Sequence, residues 1–182
     1  MVKITIPDTE IFDPSTNEFI NVKGQSIALE HSLVSISKWE SKWHKPYLDR
    51  RYEKTREEAI DYIRCMTLTQ NVDPKVYYCI PESEAKKVAD YIQDPMTATW
   101  FSNEEDQKGK SQPIITSEII YFWMITFNIP FECQKWHLNR LITLIKVCDE
   151  KSKKQKKMSR NEQYARRNKL NAARKSRSHS RG

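Results

Sequence analysis

Ser32-Leu33-Val34-Ser35-Ile36-Ser37-Lys38-Trp39-Glu40-Ser41-Lys42-Trp43-His44-Lys45-Pro46 is the stretch on which the fold turns. Leu33, Ile36, Trp39 and Trp43, continued by Tyr47, recur at steps of three and four, with Lys38, Glu40, Lys42 and Lys45 between them. This is the period of a helix with one apolar face. Pro46 predicts its end, because a proline pushes the preceding residue out of the helical region. Upstream of His31 the period is two. Val2–Ile6 alternates apolar and polar residues, as a half-buried strand does. Residues 10–12 and Glu18–Val22 are short β-type runs flanking Asp13-Pro14-Ser15-Thr16-Asn17, whose Asp and Pro favour a tight turn, so a hairpin is expected. Gln25–Leu29, after Gly24, offers a further strand.

Downstream the helical period persists. Thr55-Arg56-Glu57-Glu58 has the form of a capping box and opens a helix expected to turn Ala59, Ile60, Ile63 and Met66 inward. Asn71-Val72-Asp73-Pro74 reads as a break. Pro81 suits a helix start, followed by Ala85, Val88, Ala89 and Ile92 at core spacing and ended by Asp94-Pro95. Residues 102–112 are polar and charged and read as an exposed loop. Residues 114–129 carry almost no polar face, which predicts a helix at the centre of a bundle; its 16 residues fall short of the roughly 20 that cross a bilayer. The segment 131–150 repeats Leu138, Leu141, Ile142, Ile145 and Cys148 along one side. The fold class read from these periods is α+β, predominantly α. A small N-terminal β-hairpin sheet precedes a bundle of about five helices around one core, large enough to fold independently.

Charge divides the chain after Glu150. Residues 1–150 hold 18 Lys/Arg against 23 Asp/Glu, whereas residues 151–182 hold 13 Lys/Arg against the single acid Glu162. The alkaline isoelectric point therefore belongs to the tail. Two segments follow, a compact domain at 1–150 and a basic tail at 151–182, partly helical or disordered. The tail buries too little to be stable alone. Its Lys153, Lys154, Lys156, Lys157, Arg160, Arg166, Arg167, Lys169, Arg174, Lys175 and Arg177 are the candidate partner-binding residues. They suit phosphates, with strong salt dependence, or an acidic protein surface; a third reading is a solvated arm that binds nothing. Tyr164 is the tail's single aromatic residue, which weakens a base-stacking mode.

Chemistry is sparsely marked. Three glycines cannot compose a phosphate-cradling loop or a dinucleotide fingerprint, so nucleotide-dependent catalysis is disfavoured and no cofactor is expected. His44 and His137 each follow a Trp and could hold a metal with Glu40 or Glu132, but without a metal-ligand spacing they read better as packing residues, and no metal is expected. Cys65, Cys79, Cys133 and Cys148 sit 14, 54 and 15 residues apart, none of them a metal or redox spacing. They read as reduced, buried thiols in a reducing compartment. Cys133 and His137 at i, i+4 would share a helical face, a spacing able to lower a thiol pKa, yet nothing supplies an orienting residue or oxyanion site. The pairs Glu57-Glu58 and Glu104-Glu105 fit a helix first turn and a loop. No secretory signal is read at the start, since Met1–Pro7 has no apolar run behind basic residues. The chain is not expected to be an enzyme.

Several stretches resemble small proteins of tailed bacteriophages. These are Ile27-Ala28-Leu29-Glu30-His31-Ser32-Leu33-Val34-Ser35-Ile36-Ser37-Lys38-Trp39-Glu40, Asp61-Tyr62-Ile63-Arg64-Cys65-Met66-Thr67-Leu68-Thr69, Pro95-Met96-Thr97-Ala98-Thr99 and Ile129-Pro130-Phe131-Glu132-Cys133-Gln134-Lys135-Trp136-His137-Leu138-Asn139-Arg140-Leu141. The ending, with Lys157-Met158-Ser159 and an Ala/Arg-rich segment, is similar too, so the resemblance spans nearly the whole chain. The family is that of the tail assembly chaperones of long-tailed phages. The resemblance implies a host-cytoplasm factor that coats the tape-measure protein, keeps it soluble and helps recruit major tail protein around it, commonly made in a short and a frameshifted longer form. It carries over no catalytic residue. The competing reading is a virion structural or nucleic-acid-binding protein working through the basic tail.

Overall fold

The computed structural model describes residues 1–13, 17–99, 114–152, 164–165 and 167–171. The chain divides into two compact units, Met1–Asp149 and Glu150–Gly182. The fold is α+β and mostly helical. Four strands open it: β1 (Val2–Ile6), β2 (Thr9–Asp13), β3 (Glu18–Val22) and β4 (Gln25–Leu29). They form two antiparallel pairs, β1 with β4 and β2 with β3, so the hairpin is nested between two strands that pair with each other. The period-two alternation places Ile4, Ile6, Ile27 and Leu29 in the core while Lys3 and Thr5 face water. Gly24 is obligatory at the β3–β4 connection. A Cβ there would lie 2.5 Å from the Ile6 carbonyl oxygen and 2.8 Å from the Asp8 nitrogen.

Helix α1 (Leu33–Trp43) begins on Ser32, whose hydroxyl accepts from the Ser35 amide, and ends on His44 in the left-handed region at φ 53°. The proline-driven end is thus reached two residues ahead of Pro46. Tyr47 lies beyond the helix and still packs on the same face, stacked on Tyr62 at 3.9 Å. Helix α2 (Arg56–Met66) carries the capping box of Thr55 and Glu58 in full. Its inward line differs from expectation. Glu58, Tyr62 and Met66 are buried, Ile60 and Ile63 only partly, and Ala59 is exposed. The large Tyr62 ring and the hydrogen-bonded Glu58 outcompete a methyl group for the core. The break at 71–74 leads into a 3-10 turn at Pro74–Cys79, an element that no apolar period in the sequence marks. In α3 (Glu82–Gln93), Val88 and Tyr91 are buried and Ile92 partly, whereas Ala85 and Ala89 face solvent.

Residues 102–112, expected to form an exposed loop, lie outside the described residues. Helix α4 covers Ser117–Thr126 and buries Ser117, Ile120 and Met124 along one side. It is not a central, wholly buried helix: Phe122 and Ile125 are 62% and 61% exposed. The missing polar face marks an apolar outer surface, not burial all round. A 3-10 turn at Phe131–Lys135 and an extended Trp136 then separate α4 from α5 (Leu138–Ser152), so 131–150 is not one helix. Among its residues Leu138, Leu141 and Ile145 are buried, with Ile142 and Cys148 partly so, as the spacing predicts.

The segment 28–32 is gripped from two sides. On one, the Leu68 amide donates to the Ala28 carbonyl at 2.8 Å and the Glu30 amide to the Met66 carbonyl at 2.9 Å. On the other, the Leu138 amide donates to the His31 carbonyl at 2.8 Å, and Ser32 bridges His137. The backbone after α2 therefore covers the edge of β4 that β1 leaves open.

In the second unit, residues 164–165 and 167–171 are helical and exposed.

Candidate functional site

Of the tail cations read as partner-binding, Lys153, Lys154, Lys156, Lys157, Arg160, Arg166, Arg174, Lys175 and Arg177 lie outside the described residues. Arg167 and Lys169 are helical and exposed.

The histidines and cysteines are absorbed by packing. His31 and His137 stand edge to face at 5.1 Å, at the point where 28–32 meets the start of α5. The His31 Nδ1 shares a hydrogen bond with the Tyr62 hydroxyl. The His137 Nε2–H donates to the Tyr91 carbonyl at 3.0 Å, and its Nδ1 accepts from the Asn139 amide at 3.3 Å. Burial, with His137 adding to it, pushes the His31 imidazole down to about 3. His44 serves as the C-cap of α1, so the two histidines paired in the metal reading occupy separate structural roles. Among the described residues no three His, Cys, Asp or Glu side chains converge as metal ligands do. Cys133 sits in the 3-10 turn, and the extended Trp136 breaks the helical face that Cys133 and His137 were expected to share. All four cysteines are free; Cys133 is buried and the others partly so. Burial pushes the Cys65 thiol up to about 11, away from nucleophilic thiolate chemistry.

Two buried carboxylates organise the helices. Glu58 is 1% exposed and accepts from the Lys45 ammonium at 2.7 Å, from the Tyr52 hydroxyl, and from the Thr55 amide at 2.8 Å. The Lys45 and Tyr52 hydrogen bonds hold its carboxyl down at about 2. Glu40 accepts from the Tyr47 amide and the Ser117 amide, each at 2.8 Å. It thereby ties the N-terminus of α4 to α1, an end that favours negative charge. These acids are structural anchors, and each already has its hydrogen-bond partners.

The surface feature that stands out is the outer side of α4. Glu118, Phe122 and Ile125 follow one another at i, i+4 and i+7, opposite the buried Ile120 and Met124. Phe131, 52% exposed, lies beside Tyr121 with ring centroids 6.5 Å apart. Tyr121 is itself fixed by donating to Gln134 at 2.9 Å. Scattered exposed apolar residues are ordinary, but a line of large ones on a helix is a surface suited to another apolar helix face. The sequence reading found this helix and placed its outer face in the core; the ten-residue length of α4 gives little polar contrast from which to tell the faces apart.

Comparison with family models, curated proteins and solved structures finds no match to this chain. No helix among the described residues is long and apolar enough to cross a membrane.

Proposed function

We propose that this protein is a non-catalytic tail assembly chaperone of a long-tailed phage, acting in the host cytoplasm. In this reading it holds the tape-measure protein in a soluble form and assists assembly of the major tail protein around it. The sequence resemblance supplies the family; the outward line Phe122–Ile125 on α4 is the observation in the molecule that supports it. A long helical client presents apolar residues at helical spacing, and a rigid helix with a matching outer stripe covers them with little ordering cost. The basic tail would accelerate encounter with acidic stretches of the client.

Co-expression with the tape-measure protein followed by pull-down is the test. The wild-type chain is expected to keep the client soluble and co-purify with it. Phe122→Ser combined with Ile125→Ser is expected to lose the client while the chain itself stays folded. Recovery of soluble client bound equally by both forms would reject the α4 face, and failure of the wild type to retain any client would reject the chaperone reading.

The tail's 13 Lys/Arg against one acid favour a second reading, a virion structural or nucleic-acid-binding protein. A mobility-shift titration on DNA and RNA separates the two, since phosphate-mediated binding collapses between low and moderate salt. Stoichiometric presence of the chain in purified particles would favour the structural role.

A further inference from the structure

A groove lies between α1 and α2. Two adjoining cavities of about 300 and 420 Å³ share Lys42, Asp61 and Arg64, which makes them one continuous depression. One end has an apolar wall built from Trp43, Ile60, Pro74 and Tyr78. The other is lined by Lys38 and Cys65. Helical geometry accounts for the convergence: Lys38 and Lys42 stand one turn apart on α1, and Ile60 and Arg64 one turn apart on α2.

The charges in the groove are unequally occupied. Asp61 is committed, accepting from the Lys42 ammonium and from the Trp43 indole N–H at 2.9 Å. Lys38 and Arg64 form no ion pair with another described residue. The floor is rigid as well, since Trp43 is pinned through its Nε1 and stacks on the wholly buried Trp39 at 6.2 Å. The result is an apolar wall beside two solvent-exposed cations that no described carboxylate pairs.

We propose that this groove binds an acidic peptide segment of a partner protein, in which a carboxylate side chain lies next to an apolar one. The carboxylate would pair with Arg64 and Lys38, and the apolar side chain would cover Trp43 and Tyr78. The volumes sit at the small end for ligand sites, matching a few side chains of a peptide. A nucleic-acid strand fits poorly. Its continuous phosphates would meet Glu57 at the apolar end, where a peptide can offer an uncharged side chain instead. A peptide can place its charges singly. This site lies on other residues than the outer line of α4 and stands whether or not the chaperone reading does.

The full-length chain, labelled with nitrogen-15, is titrated with a twelve-residue Gly/Ser peptide carrying one central Glu-Leu pair and, separately, with its Lys-for-Glu counterpart and a twelve-nucleotide single-stranded RNA. The acidic peptide is expected to shift the Trp43 indole and the Lys38 and Arg64 amides in one saturable process. The lysine peptide should leave them in place. Lys38→Glu with Arg64→Glu, both at exposed positions, should weaken acidic-peptide binding to this groove about tenfold or more, and Tyr78→Ala should weaken it independently of charge. Shifts confined to residues 151–182 would overturn the proposal, because the basic tail would then be the acid-binding element. So would an affinity unchanged by the double reversal, or RNA shifting the groove resonances as strongly as the acidic peptide.

Discussion

Glu40 joins two elements through one side chain. Its oxygens separately receive the Tyr47 and Ser117 amides, and the residue is 7% exposed. Glu40→Ala strands two donors in the interior, which costs about 2–3 kcal/mol; urea titration should show the loss, and amide exchange should place it at the start of α4. Gly24 makes a sharper case. A methyl group there collides with backbone atoms of the β1–β2 connection, which cannot rotate away as a side-chain tip can. Gly24→Ala is expected to destabilise the chain by about 1–3 kcal/mol, read as a lowered thermal midpoint. Nothing in the sequence around Gly24 announces this requirement beyond its place between two strands.

At the scale of elements, the outer surface of α4 and the stability of the molecule should separate. Phe122 and Ile125 already face water. The double change to Ser should therefore alter unfolding free energy by about 0.5 kcal/mol or less, and a large loss would mean that these side chains are core residues after all. Legibility differs from element to element for physical reasons. The four strands and the Thr55 capping box were readable because alternation and cap chemistry are local. The rotation of α2 was not, since Glu58 is buried by partners drawn from Lys45 and Tyr52, outside its own helix. Ala85 and Ala89 in α3 misled similarly: alanine fits a core spacing and an exposed helix equally well. The α1–α2 groove, assembled from Lys38, Trp43, Arg64 and Tyr78, has no contiguous signature at all.

For the whole molecule, acid is the informative perturbant. The His31 imidazole, held near 3 by burial and the adjoining His137, titrates near 6.5 when unfolded. Between those values the unfolded chain binds the extra proton, so the stabilisation is complete above pH 6.5 and declines as pH falls toward 3. Glu58 adds a second decline in the same direction, from its ordinary 4.5 down to about 2. The unfolding free energy from urea titration, and the midpoint with it, should begin to fall near pH 6.5, the free energy by at most about 1.4 kcal/mol per pH unit from His31. His31→Gln should remove that early portion and leave the decline below pH 4.5. A midpoint that stays flat from pH 7 to pH 5 in the wild type would contradict the burial of a neutral imidazole.

The clamp around residues 28–32 has a bearing on how the protein is made. Its two jaws, at 66–68 and 137–138, are separated from it by roughly 38 and 106 positions along the chain. Closure therefore waits on contacts of long sequence separation, which are slow to form. A nascent chain still lacking Leu138 leaves the His31 carbonyl without its donor, and the first unit cannot mature vectorially from its N-terminus. Translation must pass Leu138 before the clamp can close on residues 28–32.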